Sequence, residues 1–251
     1  MKAFFIAFTV ALLLAGAKPA SAGALLEVDG HLLKWVSNGT GAATIVTYAI
    51  LKGPYVLPGG RRILSPDNCS AMHAFNDIVA SSSTSPEEAE SALHAAFTTW
   101  ESAAGITFAE VSDPRQANIV VGAQDFPVGR AFTNLSYLSS HGFSPVEKAL
   151  GGPGPSTEAG ETESSGTVRG IEQSYVCLNP RMRWKTGFDG DLSVYDLRYT
   201  FTHEIGHAIG LDHPGSSGAI MAYRYDERVR ELQPSDIAAV QRLYGPPKQT
   251  R

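Results

Sequence analysis

The sequence reads His203-Glu204-Ile205-Gly206-His207-Ala208-Ile209-Gly210-Leu211-Asp212-His213 in its C-terminal third. His203 and His207 are four positions apart, so on a helix their side chains lie about 40° apart around the axis and roughly 6 Å apart along it. Gly210 predicts that this helix ends in a left-handed turn, because glycine adopts a positive φ without steric cost. Such a reversal would bring His213 back beside the first two imidazoles.

Three histidines at this spacing are typical of a metal site that is open on one side. A catalytic zinc has three protein ligands and keeps a fourth position for water, whereas a structural zinc has four protein ligands. The sequence therefore predicts one catalytic Zn²⁺ bound by His203, His207 and His213. Glu204 would lie beside the first ligand without binding the metal, where its carboxylate can take a proton from water. A closed structural site and a helix with surface histidines are the alternatives.

The long motif, with its glycine and third histidine, resembles the zinc-binding motif of the metzincin peptidases. Met221 resembles their second signature, a methionine turn beneath the metal. Its distance of eight residues from His213 is similar to the matrixin arrangement found in matrix metalloproteinases, and residues 232–245 resemble the last matrixin helix. Pro214-Gly215 is more similar to serralysins. The resemblance is strong over residues 195–245 and weaker over residues 42–124.

This resemblance implies an α+β metzincin domain with a twisted, mixed five-stranded sheet, three main helices and a zinc ion in the cleft between two lobes. It implies peptide hydrolysis, with Glu204 as the general base and Met221 packed beneath the metal. Tyr225 matches a matrixin residue in the wall of the pocket for the substrate side chain after the cut bond. Tyr223 stands where astacins and serralysins place a tyrosine that can approach the zinc. The matrixin-like spacing favours Tyr225 as the wall and Tyr223 turned away from the metal.

Two other functions are compatible with these motifs. One is a zinc hydrolase of small, non-peptide amides, and the other is a secreted binding module without catalysis. A secreted zinc endopeptidase acting as a monomer on a protein or peptide substrate is the favoured interpretation. The predicted edge strand around residues 131–135 could bind an extended peptide by strand addition.

The first 22 residues have the pattern of a secretory signal peptide. Lys2 precedes an apolar run over residues 3–15, which is too short to span a membrane, and Ala20-Ser21-Ala22 is typical of a cleavage site. We therefore expect an exported catalytic domain over residues 23–251, either extracellular or periplasmic, with no membrane association after cleavage. The formal charge of −5 offers no basic patch for nucleic acid.

The two cysteines, Cys69 and Cys177, predict a single disulfide in an oxidising compartment. The alternative is that Cys69 is a thiolate that blocks the zinc and keeps the protein latent.

Hydrophobic patterning and turn residues predict the remaining elements. Strands are expected at residues 44–51, 106–111, 117–123, 130–137 and 172–178. Helices are expected from a capping box at Ser85 to Gly105, from Tyr195 to Gly210, and from Pro234 to Gly245. The low-complexity stretch 150–170 predicts a mobile surface loop. Its acidic residues could hold a structural Ca²⁺, although no calcium motif is present.

Overall fold

The computed structural model describes residues 23–36, 44–138 and 167–248, so the predicted signal peptide lies outside the described residues. The elements follow in chain order: β1 (Glu27–Val28), β2 (His31–Lys34), β3 (Thr44–Ile50), β4 (Tyr55–Val56), β5 (Ala71–Met72), a 3₁₀ helix (Phe75–Val79), α1 (Pro86–Ala103), β6 (Ile106–Glu110), β7 (Ile119–Ala123), β8 (Ala131–Tyr137), β9 (Thr167–Leu178), β10 (Trp184–Lys185), β11 (Tyr195–Asp196), α2 (Leu197–Ala208) and α3 (Pro234–Tyr244).

A mixed sheet of seven strands forms the central layer. Strands β2, β9, β7, β3 and β6 run parallel in that order, β1 pairs antiparallel with β2, and β8 pairs antiparallel with β9. The five strands predicted from sequence are all present, but the predicted total of five is wrong. The β1–β2 hairpin adds two more strands, which are too short to show alternation; β2 joins the sheet by pairing with β9, and β1 joins it by pairing with β2.

The loop predicted over residues 150–170 requires a correction. Residues 167–170 are the first part of β9, where they pair in parallel with residues 31–34 of β2. Arg169 is almost fully buried there and forms an ion pair with the Asp29 carboxylate at 3.0 Å. Composition alone could not identify this strand, because its partner lies more than 130 residues earlier in the chain. Residues 150–166 lie outside the described residues.

The three helices agree with the sequence predictions to within two residues at each end. At the start of α1, the Ser85 hydroxyl accepts a hydrogen bond from the Glu88 amide and the Glu88 carboxylate accepts one from the Ser85 amide, which is the predicted capping box. Helix α1 packs against α2 through fully buried Trp100, whose indole N–H donates to the Thr202 carbonyl at 2.8 Å. The hydrophobic core lies between these two helices and the sheet.

The predicted disulfide is confirmed. Cys69 and Cys177 are bonded, with their Cα atoms 5.5 Å apart, and both are fully buried. The bond ties the segment after β4 to the end of β9, so the interpretation of Cys69 as a metal-blocking thiolate is wrong for this structure. In the described ranges, no helix combines the length and the apolar character needed to cross a bilayer.

Candidate metal centre and substrate cleft

Helix α2 stops at a tight reversal that places the third histidine. Gly210 has a φ of +98°, as its position after the helix predicts, and a Cβ atom there would lie only 2.1 Å from the Leu33 carbonyl oxygen. The N-terminal segment fixes the turn from outside, because the Leu26 amide donates to the Gly210 carbonyl and the Asp212 amide donates to the Ala24 carbonyl. The backbone that leads to His213 is therefore held at Gly210 and at Asp212, on either side of Leu211.

The three predicted histidines converge through their Nε2 atoms. These atoms lie 3.1 Å apart between His203 and His213, and 3.2 Å apart in the other two pairs. Nδ1 of His203 donates to the Ile220 carbonyl at 2.7 Å, and Nδ1 of His207 donates to the Leu211 carbonyl at 2.8 Å. Because a carbonyl only accepts, these bonds place the proton on Nδ1 and leave the lone pair on Nε2.

This arrangement fits a zinc ion. Zinc–nitrogen bonds of about 2.0–2.1 Å in a tetrahedral site require nitrogens about 3.3–3.4 Å apart, close to the spacing observed. Three converging lone pairs repel one another unless a cation lies between them. Burial lowers the pKa of all three histidines, that of His203 to about 4, which favours the neutral ligand form. Within the described part of the chain, no other group of three potential ligands converges in this way.

Glu204 lies beside this centre and is 7 % exposed. The Thr133 hydroxyl, on β8, is 2.7 Å from Oε2 of Glu204 and 2.8 Å from its backbone carbonyl oxygen. Burial raises the pKa of the Glu204 carboxyl to about 7, and the bond from Thr133 opposes that shift. A carboxyl whose pKa lies near neutral can both accept and return a proton.

Met221 packs directly against α2. A Cβ atom on Gly206, between the two helical histidines, would lie 2.2 Å from the Met221 sulfur, so only glycine leaves room for this methionine. The Asp236 carboxylate, in the first turn of α3, accepts from the amides of Ile220 at 3.0 Å and Met221 at 3.2 Å. The segment beneath the histidines is therefore held both by α2 and by α3.

The histidines and Glu204 open into a cleft of about 540 Å³ between β8 and the segment that follows the third histidine. It is lined by Leu26, Leu64, Val128, Gly129, Arg130, Ala131, Phe132, Thr133, Leu135, Tyr195, Tyr199, Thr200, His203, Glu204, His207, His213, Ala222, Tyr223 and Tyr225. Both tyrosines singled out from the sequence are among these residues, together with the three histidines and Glu204.

The two tyrosines differ in their surroundings. Tyr225 is half-buried, and its hydroxyl donates to Glu227 at 2.8 Å and accepts from the Asp196 amide at 3.0 Å. Tyr223 is 83 % exposed, with its ring edge-on to that of His213 at 5.3 Å between centroids. The first is built into the wall of the cleft, and the second stands at its rim beside His213.

Sequence reasoning missed two residues that position this site. Thr133 lies on the predicted edge strand, but nothing near it in sequence indicates a contact with Glu204. Asp236 lies two residues after Pro234, the first residue of α3, so its position in the first turn could have predicted a role in capping. Its bonds to the segment around Met221 depend on the fold.

Comparison with known proteins shows the family to which the chain is similar. The matrixin family model matches residues 74–245. The chain is 31 % identical to matrix metalloproteinase-19 of Homo sapiens over 163 residues, which is 64 % of this chain and 27 % of that protein. It is 30 % identical to matrix metalloproteinase-23 of Rattus norvegicus over 165 residues, covering 64 % of this chain and 38 % of the relative. It is 28 % identical to karilysin of Tannerella forsythia over 169 residues, which is 66 % of this chain and 31 % of karilysin. The chain thus spans less than two-fifths of the length of these relatives. By the extent of the family match, the chain belongs to the matrixin family.

Proposed function

We propose that this chain is a zinc-dependent endopeptidase, exported after removal of a signal peptide at residues 1–22. The observation that carries the proposal is the convergence of three Nε2 atoms, 3.1–3.2 Å apart, beside a buried glutamate in an open cleft. His203, His207 and His213 would hold the zinc. When bound, zinc supplies Lewis acidity, which polarises a peptide carbonyl and acidifies water.

Glu204 supplies the proton transfers. The Thr133 hydroxyl engages Oε2, so Oε1 is the oxygen left to take a proton from the attacking water. Glu204 then returns that proton to the amine of the leaving peptide. Thr133 can serve both protonation states, because Oε2 remains an acceptor for its hydroxyl whether or not Oε1 carries the proton. We assign Thr133 as a positioning residue.

The edge of the sheet supports a peptide substrate. Strand β8 borders the cleft, and an extended peptide could pair with it by strand addition. The far end of β8 is already covered, since the Leu64 amide donates to the Leu135 carbonyl and the Tyr137 amide donates to the Arg62 carbonyl. Substrate pairing would therefore be confined to the end near Ala131, which is the end that lines the cleft.

The test compares the wild-type protein with Glu204→Gln and with a control, Glu231→Gln, which removes an exposed carboxylate outside the cleft. We expect about one zinc per chain in all three proteins. Cleavage of a mixed peptide library should fall in Glu204→Gln alone by about 10²–10⁴-fold or more. His207→Ala should lose the zinc.

Near wild-type cleavage by Glu204→Gln would show that another residue is the base. Full zinc content in His207→Ala would refute the ligand set. Hydrolysis of small amides without cleavage of any peptide would favour the amide hydrolase instead.

A further inference from the structure

One cation lines the cleft and takes no part in the proposed chemistry. Arg130 directly precedes β8, and its backbone carbonyl accepts a hydrogen bond from the Asn179 amide at 2.9 Å, which continues the pairing with β9. The centre of its guanidinium group, Cζ, lies 4.3 Å from the centroid of the Tyr195 ring. A guanidinium over an aromatic face at this distance is a favourable cation–π contact.

The ring beneath Arg130 belongs to a fixed aromatic platform. Tyr195 stacks on Tyr225 with centroids 4.2 Å apart and an interplanar angle of 18°. Tyr199 meets Tyr225 edge-on at 4.8 Å and 81°. Two hydrogen bonds hold the Tyr225 hydroxyl, and the Tyr195 ring stacked on Tyr225 places the guanidinium at the cleft without a substrate.

The described part of the chain, residues 23–36, 44–138 and 167–248, leaves the guanidinium of Arg130 without an ion-pair partner. Among the described residues that line the cleft, Arg130 is the only permanent cation and Glu204 is the only carboxylate. Arg181 provides a contrast, since it stacks over Phe126 at 4.5 Å but pairs with Asp125 at 3.1 Å and does not line the cleft.

We propose that Arg130 selects substrates that carry an acidic side chain on the C-terminal side of the cut bond. This inference rests on the proposed peptidase function and on Tyr225 forming the wall for the residue after the cut. Arg130 lies on the same stacked platform as Tyr225. The substrate carboxylate that pairs with Arg130 therefore belongs to the substrate residue directly after the cut bond or to a neighbouring substrate residue. A guanidinium binds a carboxylate through two parallel hydrogen bonds, so Glu or Asp is the matching chemistry.

The experiment uses peptides of one core sequence with Glu, Gln or Lys scanned over three positions on each side of the cut. We expect the wild-type kcat/KM to favour Glu over Gln by about tenfold at one position after the cut, with the preference shrinking as salt is raised. Arg130→Met should abolish the preference and Arg130→Glu should shift it toward Lys. Arg130→Lys should keep part of it, and the matched control Arg181→Met should leave it unchanged.

Three outcomes would overturn the inference: equal rates for Glu and Gln in the wild type, an acidic preference confined to positions before the cut, or an unchanged preference in folded Arg130→Met. If Arg130→Met does not fold, Arg130→Glu and Arg130→Lys decide the question. If the wild type cleaves no peptide, the proposed function fails separately. The affinities of fluorescent Glu and Gln peptides then test Arg130 directly, and equal affinities would refute it.

Discussion

Replacing Gly206 by alanine should destabilise this protein, although alanine is the better helix former. Gly206 lies inside α2 between His203 and His207 and is buried. An added Cβ would lie 2.2 Å from the sulfur and 2.9 Å from the terminal methyl of Met221, and 3.0 Å from Cζ2 of Trp100. Ordinary contacts need about 3.5–4.0 Å, so the sulfur would have to move by roughly 1.5 Å.

The magnitude follows from two opposing effects. Alanine in a helix interior gains about 1 kcal/mol over glycine. Overpacking a core costs about 1–3 kcal/mol, and we expect the upper end here because neither neighbour can move into solvent. Met221 is 2 % exposed and Trp100 is fully buried. The net loss in the free energy of unfolding should be about 2 kcal/mol.

Urea unfolding of the zinc-loaded and the chelated protein measures this loss. The control is Gly53→Ala, because a Cβ at Gly53 meets nothing within 4 Å, and we expect no loss of stability there. The double variant Gly206→Ala/Met221→Ala should lose less free energy of unfolding than the two single variants lose together, by about 1 kcal/mol or more, because Met221→Ala removes the clash. A Gly206→Ala protein as stable as wild type, with additive effects in the double variant, would refute the reasoning.

Three further predictions concern other parts of the site and the fold. Asp236→Asn should lower the free energy of unfolding by about 2–3 kcal/mol, because an amide has a single, uncharged acceptor oxygen for the two backbone amides of Ile220 and Met221. Unchanged urea unfolding would contradict this. Replacing Cys69 and Cys177 together by alanine should lower the free energy of unfolding by up to ~4–5 kcal/mol in the chain-entropy model. Denaturation of both proteins without reductant measures this loss. Tyr225→Ala should change the preference between large and small residues after the cut, while Tyr223→Phe leaves kcat nearly unchanged. A uniform hundredfold fall in kcat for Tyr223→Phe, with preference intact in Tyr225→Ala, would show that Tyr223 stabilises the transition state.

The parts of this α+β metzincin fold that could be predicted depend on interactions close in sequence. The ends of α1 follow from the Ser85–Glu88 capping box, whose bonds span three residues. The turn after α2 follows from Gly210, because a side chain at a φ of +98° is strained. The proposed ligand set follows from helical spacing and this one turn, so the convergence of the three histidines beside Glu204 could be predicted from eleven consecutive residues.

The parts that could not be predicted are contacts between distant segments. The β2 strand has little pattern of its own and exists because residues 31–34 pair with residues 167–170 of β9. Thr133 reaches Glu204 only because β8 packs beside α2. The aromatic platform beneath Arg130 combines residues from before α2, within α2 and after the methionine turn. Neither spacing nor composition carries information on these pairings.

His203, the first proposed metal ligand, shows how local and long-range interactions combine at the site. His207 donates through Nδ1 to the Leu211 carbonyl, four residues away, so its orientation is set locally. His203 donates instead to the Ile220 carbonyl, and the amide of Ile220 is held by the Asp236 carboxylate of α3. Because the Nδ1 bond decides which nitrogen points toward the other two imidazoles, the orientation of His203 depends on a helix that contributes none of the proposed ligands. We infer that residues 203–213 identify the proposed zinc site, whereas the geometry of its histidines requires the C-terminal segment that carries Ile220 and Asp236 to be folded against α2.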